Sequence, residues 1–262
     1  MSDFPKGSVW LVGAGPGDPE LLTRKAERLL RNADIVFYDA LVSKGVLDLI
    51  PQATPRHSVG KRAGRHSVPQ PMICDFLVKA ALRGQRVVRL KGGDSSIFGR
   101  ANEEIDACRD NGIIVQICAG VTTASAAAAS LCASLTMRGL ARRLTFVTAH
   151  TRNGAVAELD WQALADPQAT IAVYMGKAAA PDLARRLMQA GLAHDTPTVL
   201  IENVSLPGER HFPTRLDMLP LAARTALGDG PAIILIGEAM REAKAWLQTC
   251  DEIRAVANHI AD

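Results

Sequence analysis

The residues best suited to chemistry lie where a short apolar segment gives way to glycines and charged side chains. Residues 87–90 read as a strand, and residues 92–94, Gly-Gly-Asp, follow it almost directly. Glycines let a backbone approach a ligand closely. Arg100 and Glu103 come next, at a spacing that allows an ion pair on one helix face. This arrangement is typical of a small-molecule site on an α/β sheet, although an ordinary turn with a surface ion pair would contain the same residues.

Glycines also follow the first apolar segment. Residues 13–17 read Gly-Ala-Gly-Pro-Gly, and Asp39 follows the next segment, residues 35–38. This spacing resembles a dinucleotide fingerprint with a ribose-binding acid. However, Pro16 lacks the backbone N–H that a pyrophosphate would bind, and Asp18 would place a carboxylate beside the phosphates. A structural turn and the edge of a ligand site both remain open, and phosphate binding is disfavoured.

Two further stretches could contact a ligand. Residues 59–70, Val-Gly-Lys-Arg-Ala-Gly-Arg-His-Ser-Val-Pro-Gln, concentrate positive charge between two glycines. A solvated surface is the usual interpretation of such a stretch, but this one should emerge at the same sheet edge as Asp39, which suits a polyanionic substrate. Residues 174–176, Tyr-Met-Gly, end another predicted strand. A methionine there is usually part of a core, and it also suits contact with an adenine ring or a thioether.

Alternating strands and helices must position these residues. The repeated strand-then-helix order favours an α/β fold with a mostly parallel sheet and helices on both faces. We place a domain boundary after residue 118, giving domains 1–118 and 119–262. The predicted strands are residues 8–12, 35–38, 87–90, 113–117, 144–148, 170–175, 197–204, 232–236 and a polar antiparallel edge at 209–213. The predicted helices are residues 20–31, 42–49, 72–82, 102–111, 123–135, 181–190, 218–226 and a tail from 238.

Composition narrows the functional classes. The chain has 262 residues, 48% of them hydrophobic, and a formal net charge of only +3, so nucleic-acid binding is not indicated. Its five cysteines are widely spaced and no His, Cys or Asp cluster has metal spacing, so we expect neither a disulfide framework nor a bound metal. No apolar run approaches the length of a membrane span. These features predict a cytoplasmic protein of the size of an enzyme.

Read together and in order, the motifs resemble the tetrapyrrole methylase family. The resemblance rests on residues 12–23 (Val-Gly-Ala-Gly-Pro-Gly-Asp-Pro-Glu-Leu-Leu-Thr), 38–43 (Tyr-Asp-Ala-Leu-Val-Ser), the basic stretch 59–70 and 87–94 (Val-Val-Arg-Leu-Lys-Gly-Gly-Asp). It continues through shorter motifs near residues 135–139, 146–150, 174–176 and 231–233, up to about residue 238. The resemblance implies two α/β domains of the tetrapyrrole methylase type, a ligand cleft between them and a homodimer.

The resemblance also implies an activity. Within the family, the basic stretch is similar to that of members that methylate uroporphyrinogen III. It implies two successive methyl transfers from S-adenosylmethionine (SAM), at C2 and C7, which give precorrin-2 for sirohaem, cobalamin and haem d1 biosynthesis and release S-adenosylhomocysteine. The acceptor is an electron-rich pyrrole carbon, so the enzyme's main tasks are to align it with the methyl group and to remove a proton afterwards.

Roles for single residues follow from the same resemblance. Asp39 matches the family's proposed proton acceptor, Lys61 its proposed proton donor, and Arg100 and Glu103 match residues at the tetrapyrrole face. The positions that match SAM contacts are Pro16, Gly92, Gly93, Asp94, Ile97, Thr122, Thr123, Met175, Val204 and Ala232. Because SAM carries no phosphate, Pro16 is compatible with this ligand. Cationic anchors for the substrate carboxylates are expected among Lys61, Arg62, Arg65, His66, Arg138 and Arg152.

The sequence also departs from the family. The usual Gly-Asp-Pro-Phe-x-Phe-Gly-Arg-Gly reads Gly-Asp-Ser-Ser-Ile-Phe-Gly-Arg-Ala here, and Ala101 and Asn102 replace two expected glycines. Alternative hypotheses therefore stay open. They are a related methylase acting on a later corrin precursor or another acidic acceptor, a non-catalytic paralogue that binds SAM or a nucleotide, and a nicotinamide-dependent dehydrogenase.

Overall fold

The computed structural model describes residues 4–60, 68–149 and 159–243, which contain two separate β-sheets. The chain divides into two units, Met1–Thr123 and Ala124–Asp262, whereas we predicted a boundary after residue 118. Each unit combines helices with one sheet, so the prediction of an α/β protein is confirmed. Most of the tail that we predicted to be helical, from residue 244 onward, lies outside the described residues.

The first unit is built on a parallel sheet, as the alternation of strands and helices predicted. Its strands are β1 (Val9–Gly13), β2 (Ile35–Tyr38), β3 (Arg56–Ser58), β4 (Val87–Lys91) and β5 (Val115–Cys118), in the order β3-β2-β4-β1-β5. Each pair of neighbours is parallel. Because parallel strands end at the same edge of a sheet, the loops that follow β1, β2, β4 and β5 emerge beside one another.

Helices cover both faces of this sheet, because successive side chains of a strand point to opposite sides. The helices are α1 (Arg24–Arg31), α2 (Lys44–Asp48), α3 (Gln70–Leu82) and α4 (Ala101–Asp110). Val12 of β1 is buried together with Leu30 of α1. Leu11, the preceding residue, is buried in a different cluster that includes Leu77 of α3. The two faces therefore form two apolar layers that hold the strand ends in fixed positions.

The predicted helix over residues 20–31 is wrong in its first part. Pro19–Leu21 forms a separate 3-10 turn that Asp18 caps, and α1 begins only at Arg24. The reason is a second cap: Thr23 is extended, and its Oγ1 accepts a hydrogen bond from the Ala26 backbone N–H at 3.2 Å. A threonine in this role satisfies one of the unpaired N–H groups at a helix start.

Strand β3 was missed by the sequence analysis. It has only three residues, Arg-His-Ser, all exposed, and it lies at the edge of the sheet. So short and polar a segment has no hydrophobic periodicity from which a strand could be predicted. Its position depends on backbone pairing with β2 instead. The strand leads directly to Val59 and Gly60, where the basic stretch begins.

The second unit contains a mixed sheet, in contrast to the first. Its strands are β6 (Arg143–Thr148), β7 (Ala169–Tyr174), β8 (Pro197–Glu202), β9 (Arg210–Arg215) and β10 (Ala232–Ile236), in the order β6-β7-β10-β8-β9. β6 and β7 are parallel, whereas β10 runs antiparallel to β7 and β8, and β8 antiparallel to β9. The predicted antiparallel edge at residues 209–213 is confirmed as β9.

Four helices are described in this part of the chain. They are α5 (Thr123–Ser130), which begins at the boundary between the units, α6 (Trp161–Leu164), α7 (Ala180–Gln189) and α8 (Leu219–Thr225). α5 is shorter than the predicted helix 123–135, because the chain turns at Cys132, whose φ is +49°. None of the helices in the described parts of the chain combines the length and the apolar character that a bilayer crossing requires.

The cap at Thr23 gives a prediction for stability. Thr23→Ala removes the oxygen that accepts from Ala26, so we expect the free energy of unfolding to fall by about 1 kcal/mol. Thr23→Ser keeps a hydroxyl in the same place and should stay within about 0.5 kcal/mol of the native chain. Chemical denaturation of the whole chain, followed by circular dichroism, measures both. Equal stabilities of the two variants would contradict the cap.

Candidate functional site

The loops after β1 and β4 join into one structure at the carboxyl edge of the first sheet. Ala14 N–H donates to Lys91 O at 2.7 Å. Gly15 and Gly93 then form an isolated β-bridge with two hydrogen bonds, of 3.1 and 2.7 Å. Both glycines have positive φ, +68° and +66°, which few other residues adopt without cost. The glycine stretches that looked like two motifs in the sequence therefore form one surface.

Gly120, after β5, completes this surface. A Cβ atom on Gly120 would lie 2.3 Å from Gly93 O, and one on Gly13 would lie 2.6 Å from the Gly120 Cα atom. Backbones this close leave room for glycine alone. A Cβ on Gly93 would meet only Thr123 Oγ1, at 3.7 Å, so this side of Gly93 is open to a ligand. We did not predict a role for Gly120, which lies two residues before Thr122, a predicted SAM contact.

Asp94 closes the loop after β4. Its Oδ1 accepts from the Ser96 backbone N–H at 2.7 Å and also from the Ser96 hydroxyl, and its Oδ2 accepts from Gly120 N–H at 2.9 Å. The serine at position 96, one of the departures from the family pattern, thus stabilises the loop. Ser95 is fully buried, and its hydroxyl has no hydrogen-bond partner among the described residues. Ile97 N–H donates back to Asp94 O at 3.2 Å.

Arg100 and Glu103 form a two-point ion pair at the start of α4. Arg100 Nε and Nη2 each lie 2.7 Å from one Glu103 carboxylate oxygen. Hydrogen bonding to Glu103 is the largest cause of the raised pKa of Arg100. Phe98 and Arg100 both have left-handed backbones, at φ +51° and +54°, which cost about 1 to 3 kcal/mol each. Strain of this size is typical of functional loops, and both side chains of the pair are partly exposed.

Asp39 is fixed at the end of β2. Its Oδ1 accepts from Leu41 N–H at 3.1 Å, and its side chain is 25% exposed. A Cβ on Gly92 would lie 2.8 Å from Leu41 Cβ, so the Asp39 loop packs against the glycine surface. A Cβ on Gly60 would lie 2.1 Å from Ala40 N, so the backbone that precedes the basic stretch crosses the same loop.

A charged cluster that we did not predict adjoins Asp39. Arg89 and Lys91 of β4 are buried, and both bind Glu104 of α4, at 3.0 and 2.8 Å. Arg89 also lies 3.8 Å from Asp39. Burial, followed by repulsion from Arg89, lowers the pKa of Lys91. The available sequence signal was a pair of cations at alternate positions of a strand that is otherwise buried and apolar.

In the second unit, three residues that we predicted to contact SAM lie at one edge of the sheet. Met175 follows β7, Val204 follows β8 and Ala232 begins β10, which lies between those two strands. Tyr174 pairs with Ile233, and Ala232 with Glu202, so the three positions are neighbours. Met175 has a left-handed backbone, φ +55°, and is 51% exposed, whereas Val204 is buried. Met175 is thus a surface residue rather than part of the core.

For the remaining predicted residues, the structure gives only a loop and an exposure, or no description. Pro16 and Thr122 are partly exposed in the loops after β1 and β5, and Arg138 is exposed in the turn between Met137 and Ala141. Lys61, Arg62, Arg65, His66 and Arg152 lie outside the described residues. Within the described ranges, no group of three His, Cys, Asp or Glu side chains is arranged to hold a metal ion.

The chain is similar to known proteins along most of its length. The model for the tetrapyrrole (corrin/porphyrin) methylases matches residues 8–220. A uroporphyrinogen-III C-methyltransferase of Pseudomonas aeruginosa is 46% identical over 237 residues, which are 90% of this chain and 95% of that protein. A siroheme synthase of Nitrosospira multiformis is 43% identical over 245 residues, 93% of this chain. The chain spans about half the length of such siroheme synthases, 52% in this case.

A solved structure agrees with these relatives. Uroporphyrin-III C-methyltransferase from Thermus thermophilus, complexed with S-adenyl homocysteine, matches with a TM-score of 0.76 and 37% sequence identity. The match covers 89% of this chain and 99% of that one. The resemblance drawn from the ordered motifs is confirmed, and the chain belongs to the tetrapyrrole methylase family.

Proposed function

We propose that this chain is a SAM-dependent C-methyltransferase that methylates uroporphyrinogen III twice, at C2 and C7, to give precorrin-2. The observation that carries the proposal is the 46% identity along 95% of the Pseudomonas aeruginosa uroporphyrinogen-III C-methyltransferase. The aligned region also covers 90% of this chain. Precorrin-2 made in this way serves sirohaem, cobalamin or haem d1 biosynthesis.

The residues of the chain fit SAM as a ligand. The open side of Gly93 offers backbone to a polar ligand. Pro16 lacks a backbone N–H, which disfavours a pyrophosphate and is compatible with SAM, a ligand without phosphate. Met175 presents an exposed, polarizable side chain beside Ala232 and Val204, which suits an adenine ring or a thioether. When bound, SAM supplies a methyl group on a positively charged sulfur.

Asp39 is the residue that we assign to proton removal. Each methyl transfer forms a bond to a pyrrole carbon and leaves S-adenosylhomocysteine, after which the macrocycle loses a proton. Asp39 is a carboxylate with one oxygen bound to Leu41 N–H and enough exposure to reach a substrate. A positioned carboxylate of this kind acts as a general base. We assign Lys61, by its match to the family, as the proton donor.

We assign binding of the tetrapyrrole carboxylates to cationic side chains of the chain. Arg100 uses Nε and Nη2 for Glu103, which leaves Nη1 for a substrate carboxylate while the pair stays intact. Arg138 is exposed and can serve as a second anchor. We assign the same task to Lys61, Arg62, Arg65, His66 and Arg152. We also propose that the chain acts as a homodimer in the cytoplasm.

The reaction itself is the first test. Under anaerobic conditions, the purified chain with SAM and uroporphyrinogen III should yield a product heavier by two methyl groups, detected by mass spectrometry. Asp39→Asn should bind S-adenosylhomocysteine normally and lower kcat by about a hundredfold or more. Absence of any methylated product from the native chain would refute the proposal. Methylation of a later corrin precursor instead would identify the chain as a related methylase with a different substrate.

The glycine surface gives a second test. Gly120→Ala places a Cβ 2.3 Å from Gly93 O, which should separate the loops and weaken S-adenosylhomocysteine binding by roughly tenfold or more. Gly84→Ala is the control, because its Cβ meets nothing within 4 Å and it strains only its own backbone at φ +80°. Isothermal calorimetry should show weak binding for Gly120→Ala and native binding for Gly84→Ala. Native affinity in both variants would refute a role for the glycine contact in binding.

A further inference from the structure

Glu104, in the first turn of α4, is shared by two buried cations of β4. Its Oε2 accepts from Lys91 Nζ at 2.8 Å, and its Oε1 accepts from Arg89 Nε at 3.0 Å and from Gln70 Nε2 at 3.1 Å. The side chains of Arg89 and Lys91 are each 5% exposed, and that of Glu104 is 0% exposed. Because water screens these charges little, neighbouring protein groups must balance them.

The cluster holds one cation more than Glu104 can balance. Arg89 Nη2 lies 3.8 Å from Asp39 Oδ2, and in the parts of the chain that the structure describes, Asp39 and Glu104 are the carboxylates within 4 Å of either cation. With Asp39 included, two cations face two carboxylates. Asp39 is therefore more than a neighbour of the cluster, since it supplies the missing negative charge.

Arg89 is held more firmly than Asp39. Arg89 lies on β4 opposite Phe37 of β2. Because Phe37 precedes Asp39 by two residues, the side chains of Arg89 and Asp39 are on the same face of the sheet. Its Nε binds Glu104, and its Nη1 donates to Leu90 O at 3.0 Å. The guanidinium is thus fixed by one partner on α4 and one on its own strand, and its Nη2 lies within ion-pair distance, 3.8 Å, of Asp39 Oδ2.

We propose that Arg89 is a positioning residue for Asp39, and that Glu104 acts through Arg89 by holding it in place. Arg89 keeps one oxygen of Asp39 paired, so the carboxylate meets the substrate in a single orientation. A fixed orientation matters because small displacements of a catalytic group are costly in rate. The inference rests on the proposed function, since that function assigns proton removal to Asp39.

The chain offers a matched control in Lys91. Arg89→Gln and Lys91→Gln each remove one buried cation from Glu104, and each leaves the other cation paired with it. Of these two cations, Arg89 is the one within 4 Å of Asp39. Any general effect of lost charge or packing should therefore appear in both variants. An effect through Asp39 should be much larger in Arg89→Gln, because the attraction between Lys91 and Asp39 is the smallest of the influences on the pKa of Lys91.

The experiment is a double-mutant cycle in the whole chain, read as the rate of methyl transfer to uroporphyrinogen III. We expect Arg89→Gln to lower kcat by about tenfold, with the KM for SAM changed less than about twofold, and Lys91→Gln to keep kcat within about twofold. In Asp39→Asn, the further change Arg89→Gln should have almost no effect, because the group through which it acts is gone. Thermal unfolding and S-adenosylhomocysteine calorimetry test whether each variant is folded.

A second readout needs no activity. If Asp39 balances Arg89, the Asp39→Asn and Arg89→Gln changes should lower Tm by less together than the sum of their separate effects. Additive effects on Tm would overturn the pairing. The positioning role would be overturned if Arg89→Gln lowered kcat by the same factor in the Asp39→Asn chain as in the native chain. An equal loss of kcat in Lys91→Gln would overturn it as well.

The remaining outcomes are also decisive. If Arg89→Gln does not fold, Arg89→Lys is used in the same cycle, because its single ammonium replaces the two separate nitrogens that face Glu104 and Asp39. It should lower kcat severalfold in the native chain and not in Asp39→Asn, and equal losses in both would overturn the inference. A native chain without methyl transfer refutes the proposed function alone, and the Tm cycle still decides the pairing. Native turnover in Asp39→Asn overturns both the proton-removal role of Asp39 and the positioning role of Arg89.

Discussion

Contact between backbones at the edge of the first sheet is the constraint on which the site depends. Gly13, Gly93 and Gly120 come from the ends of three adjacent strands, and side chains at Gly13 or Gly120 would collide with neighbouring backbone. Such contact fixes the loops through main-chain atoms. The surface it creates therefore depends on strand register, which the two buried faces of the sheet determine.

Most elements could be predicted from the sequence because burial on both faces gives continuous apolar runs. Ile35–Tyr38 and Ala232–Ile236 have the predicted bounds. Errors arise where other forces act. Two successive caps split the helix predicted from residue 20, and β3 is a polar edge held by pairing. In the second unit, strand direction depends on connections that hydrophobic periodicity does not report.

The positions of the candidate site's glycines and of Asp39 could be predicted from the sequence. The contacts of its buried charged side chains could not. Motif order placed the loops of residues 13–17, Asp39 and residues 92–94, which the parallel sheet brings to one edge. Nothing in the sequence indicates that Arg89 binds a carboxylate 15 residues later, because that contact depends on how α4 crosses the sheet. The departures at Ser96 and Ala101 prove compatible with the fold: one hydroxyl binds Asp94, and Ala101 is buried as the first residue of α4.

The sequence of the outer strand of the second sheet affects the tendency of this protein to aggregate. An unpaired strand edge is a template for aggregation through added strands. Among the strands that the structure describes, β9 lies at the edge of the second sheet, with arginines at both ends and Pro213 in the middle. Charged ends disfavour stacking of like strands, and proline removes one donor that an incoming strand would need. Both features of β9 thus disfavour fibril-like growth at this edge.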